Sequence, residues 1–258
     1  MILAILQARV SSTRLPGKVL KNIINKPMLL RQIERIRRTK LIDKLIVATS
    51  LDLTDNPIER LCKENDIAYY RGSLDDVLDR FYQAAKLFNA DHIVRLTGDC
   101  PLADPLLIDE VISYHLQGGY DYSSNTLEPT FPDGLDIEVF KFGCLKAVWL
   151  EARLPSQREH VTPFIYQQPD RFKIGSFKNI ADLSGFRLTV DEPADFELIS
   201  IIYNSLYSKN PKFTTNDILA FLDSRPDLKT MNTHHERNEG MKKSFEKDAM
   251  FLKSTGEQ

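Results

Sequence analysis

Ile5-Leu6-Gln7-Ala8-Arg9-Val10-Ser11-Ser12-Thr13-Arg14-Leu15-Pro16-Gly17-Lys18 runs from an apolar strand straight into a loop with three cations, three hydroxyls and a Pro-Gly turn. A backbone that turns at Pro16-Gly17 can aim several N–H groups at one anion, while Arg9, Arg14 and Lys18 neutralise charge that dipoles alone would not. A basic surface loop is the plainer reading. A merely solvated loop, however, has no need of this density of donors directly after a buried strand, so the stretch is read as a polyphosphate cradle. It is neither of the common nucleotide loops: Gly-x4-Gly-Lys-Ser/Thr and Gly-x-Gly-x-x-Gly are both missing from the sequence, which sets aside the common ATPases and dehydrogenases.

Outward from the loop, Ile2 to Leu6, Lys44 to Thr49, Ile67 to Tyr70 and His92 to Leu96 read as short strands. They alternate with stretches of helical period at Met28 to Arg38, Pro57 to Asn65, Leu74 to Phe88 and Pro105 to Leu116. This β-α alternation predicts an α/β fold with a mostly parallel sheet and helices on both faces, with ligands at the carboxyl ends of the strands. Beyond residue 120 the rhythm changes. Tyr120 to Ser124, Leu135 to Phe140 and Phe172 to Phe177 read as strands and Cys144 to Glu151 as a helix, in a substrate-binding excursion over about 120–180. The core is expected to resume with a strand at Arg187 to Val190 and helices at Ala194 to Leu206 and Asn216 to Ser224. One domain therefore spans 1–225, and 226–258 is a polar tail, with Asn232 to Gln258 a frayed helix or a disordered tail and His234 and His235 solvated.

Composition is consistent with this. With 258 residues, 42% hydrophobic and 27% charged, the chain can bury one large core. A net charge of -2 argues against a nucleic-acid partner but leaves a nucleotide open. Three cysteines without a Cys-x-x-Cys pair support neither a disulfide framework nor a zinc knuckle, and point to a reducing cytoplasm. The apolar start Met1 to Leu6 lacks a basic leader and is too short to span a membrane, so it is expected as a buried first strand.

Asp99, in Thr97-Gly98-Asp99-Cys100-Pro101-Leu102, projects from a strand end at the edge that carries the cradle, and Asp191, in Thr189-Val190-Asp191-Glu192-Pro193, repeats the arrangement. Each taken alone suits an Asx-turn or a helix N-cap. Taken together beside a phosphate loop, they give magnesium the one or two carboxylates it takes alongside phosphate oxygens and water. Asp99 and Asp191 are therefore the expected Mg2+ ligands; Asp104, Asp133, Asp136 and Glu138 are candidates for substrate hydroxyls.

The opening Gln-Ala-Arg-x-Ser-Ser-Thr-Arg-Leu-Pro-Gly-Lys, the Gly98-Asp99-Cys100-Pro101-Leu102 box and Thr189-Val190-Asp191-Glu192-Pro193 resemble the cytidylyltransferases that make CMP-activated acidic sugars. The likeness runs over roughly residues 1–225. It is nearest to the spore coat polysaccharide biosynthesis protein F type, through Tyr70-Arg71-Gly72-Ser73 with Asp75-Asp76-Val77-Leu78-Asp79-Arg80-Phe81, Pro132 to Phe140, and Arg158-Glu159-His160-Val161-Thr162-Pro163. The resemblance implies a Rossmann-like nucleotidyltransferase fold with a mixed sheet, a homodimer formed through the excursion, and magnesium at Asp99 and Asp191. It implies that Leu6, Ala8, Arg9 and Lys18 line CTP, beside the Arg14 already read into the loop, with Arg71, Ser73 and Val77 on the cytosine side, and that Arg9, Lys18, Asp99 and Asp191 are catalytic. Asp133, Asp136, Glu138, Glu159 and His160 would face an anionic acceptor. From sequence alone Arg71 is equally a surface cation, and Glu159 and His160 equally serve capping and packing. Leu6-Gln7 replaces the Ile-Pro of the acidic-sugar synthetases, which leaves the acceptor open between an acidic sugar and a phosphorylated metabolite. A UTP-type sugar nucleotidyltransferase would open with Gly-x-Gly-Thr-Arg-Leu, and a glycosyltransferase would carry Asp-x-Asp where Gly98 stands; a non-catalytic nucleotide-binding module is the remaining alternative.

Overall fold

The computed structural model describes residues 1–233, 237 and 239–255, the side chains of 239, 240, 242, 243 and 255 excepted. In chain order, β1 (Ile2–Gln7) is followed by the small hairpin β2 (Asn22–Ile23) and β3 (Lys26–Pro27), then α1 (Met28–Ile36), β4 (Lys44–Ser50), α2 (Asn56–Glu64), β5 (Tyr69–Gly72), α3 (Val77–Leu87), β6 (His92–Thr97) and α4 (Pro105–Gly118). Then come β7 (Tyr122–Ser124), β8 (Glu138–Lys141), α5 (Phe142–Glu151), α6 (Pro155–His160), α7 (Pro163–Tyr166), β9 (Ile174–Ser176), α8 (Pro193–Leu206), α9 (Thr215–Asp223), α10 (Pro226–Lys229) and α11 (Glu239–Thr255).

The main sheet has seven strands in the order β5-β4-β1-β6-β8-β7-β9. β5, β4, β1 and β6 are mutually parallel, β8 is antiparallel to both its neighbours, and β9 runs parallel to β7. β1 is buried from Leu3 to Leu6, as a strand covered on both faces must be. Its alternation assigns the two cores. Ala4 and Leu6 pack with α1, α4 and α8 through Leu29, Ile33, Ile108, Val111 and Ile199. Leu3 and Ile5 pack on the other face with α3, α5 and α7 through Phe81, Ala85, Leu145, Val148 and Ile165. The cradle thus leaves the centre of the sheet, where strand ends are held on every side.

Two expected strands differ. Arg187 to Val190 forms only a single bridge, between Asp133 and Arg187. Its backbone groups go elsewhere: Leu188 N donates to Asp133 O at 2.6 Å, Val190 N to Asp99 O at 2.8 Å, and Arg187 O accepts from Asn232 at 3.1 Å. Leu135 to Phe140 pairs only from Glu138, because Asn125 takes Leu135 O and Ile137 N, each at 2.8 Å. The polar C-terminal stretch contains α10 and α11, and α11 packs on α6 through Asp248, which accepts from Ser156 N at 2.8 Å. Among the described residues no helix is long and apolar enough to cross a membrane.

Candidate active site

After β1 the chain is fastened on both sides before it turns. Ala8 N donates to Ala48 O at 3.0 Å and Gly98 N to Gln7 O at 2.8 Å. Gly98 is required by that approach, since a Cβ there would meet Gln7 O at 3.0 Å and Ala8 Cβ at 3.1 Å. Val10 N donates to the fully buried Asp55 at 2.7 Å, and Asp55 also accepts from Ser50 N at 3.1 Å and from the Ser50 hydroxyl. Val10 O accepts from Ser12 N at 2.8 Å and Gly17 N at 3.1 Å, closing residues 10–17 into a ring. Gly17 sits at φ +69°, the left-handed conformation glycine adopts freely, and the chain enters a 3-10 turn at Lys18. Arg9 is exposed at the start of the ring.

That turn directs Lys18 inward. Its Nζ donates to Val190 O at 2.7 Å and Asp191 Oδ1 at 2.9 Å, and lies 3.5 Å from Asp99 Oδ2. Burial alone would lower the Lys18 pKa, but the Asp99 and Asp191 carboxylates reverse this and hold it above its ordinary value. Burial would raise the Asp99 carboxyl; Lys18, with hydrogen bonds from Thr97 and Cys100, brings it below the usual range. Both groups are thus held charged. Arg14 reaches Asp191 at 3.1 Å and Glu192 at 3.4 Å.

Behind Asp191 lies a buried scaffold. Arg187 donates to Asp195 at 2.9 and 3.0 Å, to Asp133 at 3.0 Å and to Asp191 at 3.3 Å. Asp195, at the first turn of α8, also accepts from Asp191 N and Glu192 N, both at 2.9 Å. The cation and helix start thereby fix the backbone on which Asp191 rides. Gly134 permits the facing loop to close: at φ +103°, a Cβ there would lie 2.4 Å from Thr189 N. Asp136, beside it, bonds Arg237 at 2.6 Å, and Arg237 lies 3.8 Å from Asp133. Burial pushes the Asp136 carboxyl up to about 7, against Arg237 and with Asp133, Asp99 and Glu138 adding repulsion. Burial likewise raises Asp133.

Lys18, Arg14, Asp99 and Asp191 therefore converge, with Asp133 and Asp136 bordering them. Leu6 and Ala8 are buried in β1 and its exit, while Ser73 and Val77 lie at the start of α3, where Asp76 N donates to Ser73 Oγ at 3.0 Å. Arg71 turns toward the segment after β4, donating to Ser50 O at 2.7 Å, Asp52 O at 2.8 Å, Asn56 at 2.9 Å and to Glu59. Glu138 is buried in β8, where it binds Arg95, Tyr122 at 2.7 Å and Thr162 at 2.6 Å. His160 and Glu159 both meet Ser244 of α11, at 2.8 and 3.0 Å. Asp104 caps α4, accepting from Leu106 N at 2.9 Å. His234 and His235 lie outside the described residues. Sequence reading had not singled out Asp55, Arg187, Asp195 or Arg237. Of these only Asp195 carried a local signal, an acid in the first helical turn after Glu192-Pro193.

Two carboxylates from separate segments meet at Lys18 Nζ, at the end of the 10–17 loop; one or two carboxylates are what magnesium takes alongside phosphate oxygens and water, so Asp99 and Asp191 are the residues that could hold it. Among the described residues no group of three or more His, Cys, Asp or Glu is placed to hold a metal by itself.

A family model for cytidylyltransferases matches residues 3–247. The chain is 33% identical over 236 residues to the spore coat polysaccharide biosynthesis protein SpsF of Bacillus subtilis, covering 89% of this chain and 97% of that protein. It is 36% identical over 112 residues to a 3-deoxy-manno-octulosonate cytidylyltransferase of Geobacter metallireducens, 43% of each chain. Among solved structures, a cytidylyltransferase from Leptospira borgpetersenii superposes with a TM-score of 0.83 at 34% identity, over 88% of this chain and 95% of the other. The α/β nucleotidyltransferase fold is therefore shared.

Proposed function

The chain belongs to the cytidylyltransferase family, and from that premise we propose that it transfers CMP from CTP to an anionic acceptor, releasing pyrophosphate. The acceptor is an acidic sugar hydroxyl or a phosphorylated metabolite, in the making of a surface polysaccharide or glycoconjugate. The likeness to SpsF and to 3-deoxy-manno-octulosonate cytidylyltransferase supports this acceptor class. One observation carries the reading: Lys18, at the end of the phosphate loop, lies between Asp99 and Asp191.

In this reading Arg9 and the donors of residues 11–17 receive the β- and γ-phosphates, where charge accumulates as the bond to the α-phosphate breaks. Lys18 keeps Asp99 and Asp191 converged and charged, and Arg14 anchors Asp191 from the loop side. Asp99 and Asp191 would hold Mg2+, which when bound supplies a Lewis acid for the phosphoryl oxygens. Leu6, Ala8, Ser73 and Val77 form the base side, with Arg71 bracing the wall behind them. Asp133 and Asp136 border the acceptor side, and Glu138, Glu159 and His160 line or support it. Catalysis is positioning and electrostatics. The enzyme is further read as a cytoplasmic homodimer paired through residues 120–180, which sedimentation analysis tests.

The reaction is tested by pyrophosphate release with each of the four NTPs, with and without magnesium, against 3-deoxy-manno-octulosonate, other acidic sugars and phosphomonoesters. Magnesium-dependent release from CTP with one acceptor class is expected. Release from UTP or ATP in preference to CTP would overturn the reading.

A further inference from the structure

Lys18 and its carboxylates adjoin Leu15, Val19 and Val190, which belong to the core shared with α1 and α8. On the opposite face of β1 and β6, beneath α3, the buried Arg80 and the partly buried Arg95 each keep a donor left over. Arg80 is only 2% exposed, yet the sole hydrogen bond of its side chain among the described residues is from Nη1 to Ser73 O at 3.1 Å, and its Nε has no partner. Its stem is accommodated by Gly72 of β5, where a Cβ would lie 3.0 Å from Arg80 Cγ. Arg95, opposite Ile5 in the β1–β6 register, lies 5.9 Å from the Phe81 ring next in sequence to Arg80. Its Nη1 meets Glu138, but its Nε too is buried without a partner. Gln7, at the end of β1 on the same face, has its amide oxygen unpartnered, and an amide turned end for end would present N–H there.

A guanidinium taken out of water without a counter-ion is unfavourable, and its fork matches carboxylate or phosphate oxygens. Glu138 pairs with Arg95 and, against burial, holds its pKa above the ordinary value, but the acids nearest Arg80 have other partners. Asp55 binds Val10 and Ser50, and Asp76 binds Arg158 and caps α3 through Asp79 N at 2.9 Å. Burial, with Arg9 and Arg95 adding repulsion, pushes the Arg80 pKa down to about 10 despite Asp55 and Asp76. A bound anion would relieve that repulsion.

We propose that Arg80 and Arg95 form an oxyanion subsite that binds the carboxylate or phosphate of the acceptor. It rests on the cytidylyl-transfer reading.

The test is calorimetric titration of the full chain, saturated with CTP and magnesium, with inorganic phosphate and separately with acetate. The wild type is expected to bind at least one of the two. Tighter phosphate points to a phosphorylated acceptor and tighter acetate to a carboxylated one. Arg80→Gln is expected to weaken that anion at least tenfold while CTP affinity stays within twofold, and Arg80→Lys to fall between. Should Arg80→Gln not fold, Arg80→Lys supports the same comparison. An anion affinity unchanged by either substitution, or no anion binding by the wild type, would overturn the subsite. Equal losses for CTP and anion would also overturn it, by moving Arg80 to the nucleotide. A wild type that binds the anion through Arg80 but never CTP would refute the cytidylyl-transfer reading alone.

Discussion

Replacing Lys18 with Met removes the one ammonium that Asp99 and Asp191 share while keeping most of the stem's packing. The Nζ makes contacts of 2.7, 2.9 and 3.5 Å to Val190 O, Asp191 and Asp99. At an effective dielectric near 20, each carboxylate contact is an attraction of roughly 5 kcal/mol, most of it offset by desolvation. Breaking a buried pair from one side costs about 3–5 kcal/mol. Asp99 and Asp191 keep 30% and 20% of their side-chain surface in solvent, so water recovers part of that loss. The expected net is about 2–3 kcal/mol, or roughly 4–12 °C in Tm for a domain of this size. Thermal unfolding in a chelator measures it. Added magnesium should recover part of the lost Tm, because a divalent ion then satisfies the same two carboxylates. A Lys18→Met protein that melts with the wild type and gains nothing from magnesium would refute the shared-cation account.

Asp55→Ala leaves Val10 N and Ser50 N unpaired under the loop; a loss of about 2–4 kcal/mol is expected in chemical denaturation, together with weaker CTP binding. Gly134→Ala forces a side chain into a left-handed backbone and against Thr189 N, and should cost about 2–4 kcal/mol and reduce magnesium affinity by displacing Asp191. His115 is fully buried, bonded to Ser123 at 3.1 Å, and burial, then His92, pushes its pKa down to about 4. The unfolded chain therefore binds the proton first as pH falls. Stability from the neutral ring is complete above about pH 6.5 and is lost toward pH 4, by up to about 3 kcal/mol. His115→Gln should flatten that slope in denaturant titrations across pH.

β1 and β4 were legible because their buried stretches read as aliphatic runs, and because Pro16-Gly17 marks the turn in the loop that follows β1. Arg187 to Val190 misled for the same reason. It is as apolar and β-branched as a strand, but its partners are a loop, Asn232 and Lys18, which no local pattern displays. Asp99 was readable from its place after β6 and Lys18 from the loop after β1, whereas Asp191 was singled out at the end of a strand that does not form. Asp55, Arg187 and Arg80 were not readable, since an acid or cation destined for burial looks like any surface charge, and Asp55 and Arg187 each also hold a partner far along the chain, Val10 and Asp133. Arg71 shows the converse: a cation placed beside a strand end by sequence is engaged by the carbonyls and acids of the neighbouring loop.

The most direct measurement is equilibrium binding of CTP, UTP, ATP and GTP to the wild type and to Asp99→Asn, with and without magnesium. The account predicts that CTP binds at least tenfold more tightly than the others, that magnesium strengthens it, and that Asp99→Asn removes the magnesium dependence while the protein remains folded. Equal affinity for all four nucleotides, or a magnesium effect that survives Asp99→Asn unchanged, would contradict it.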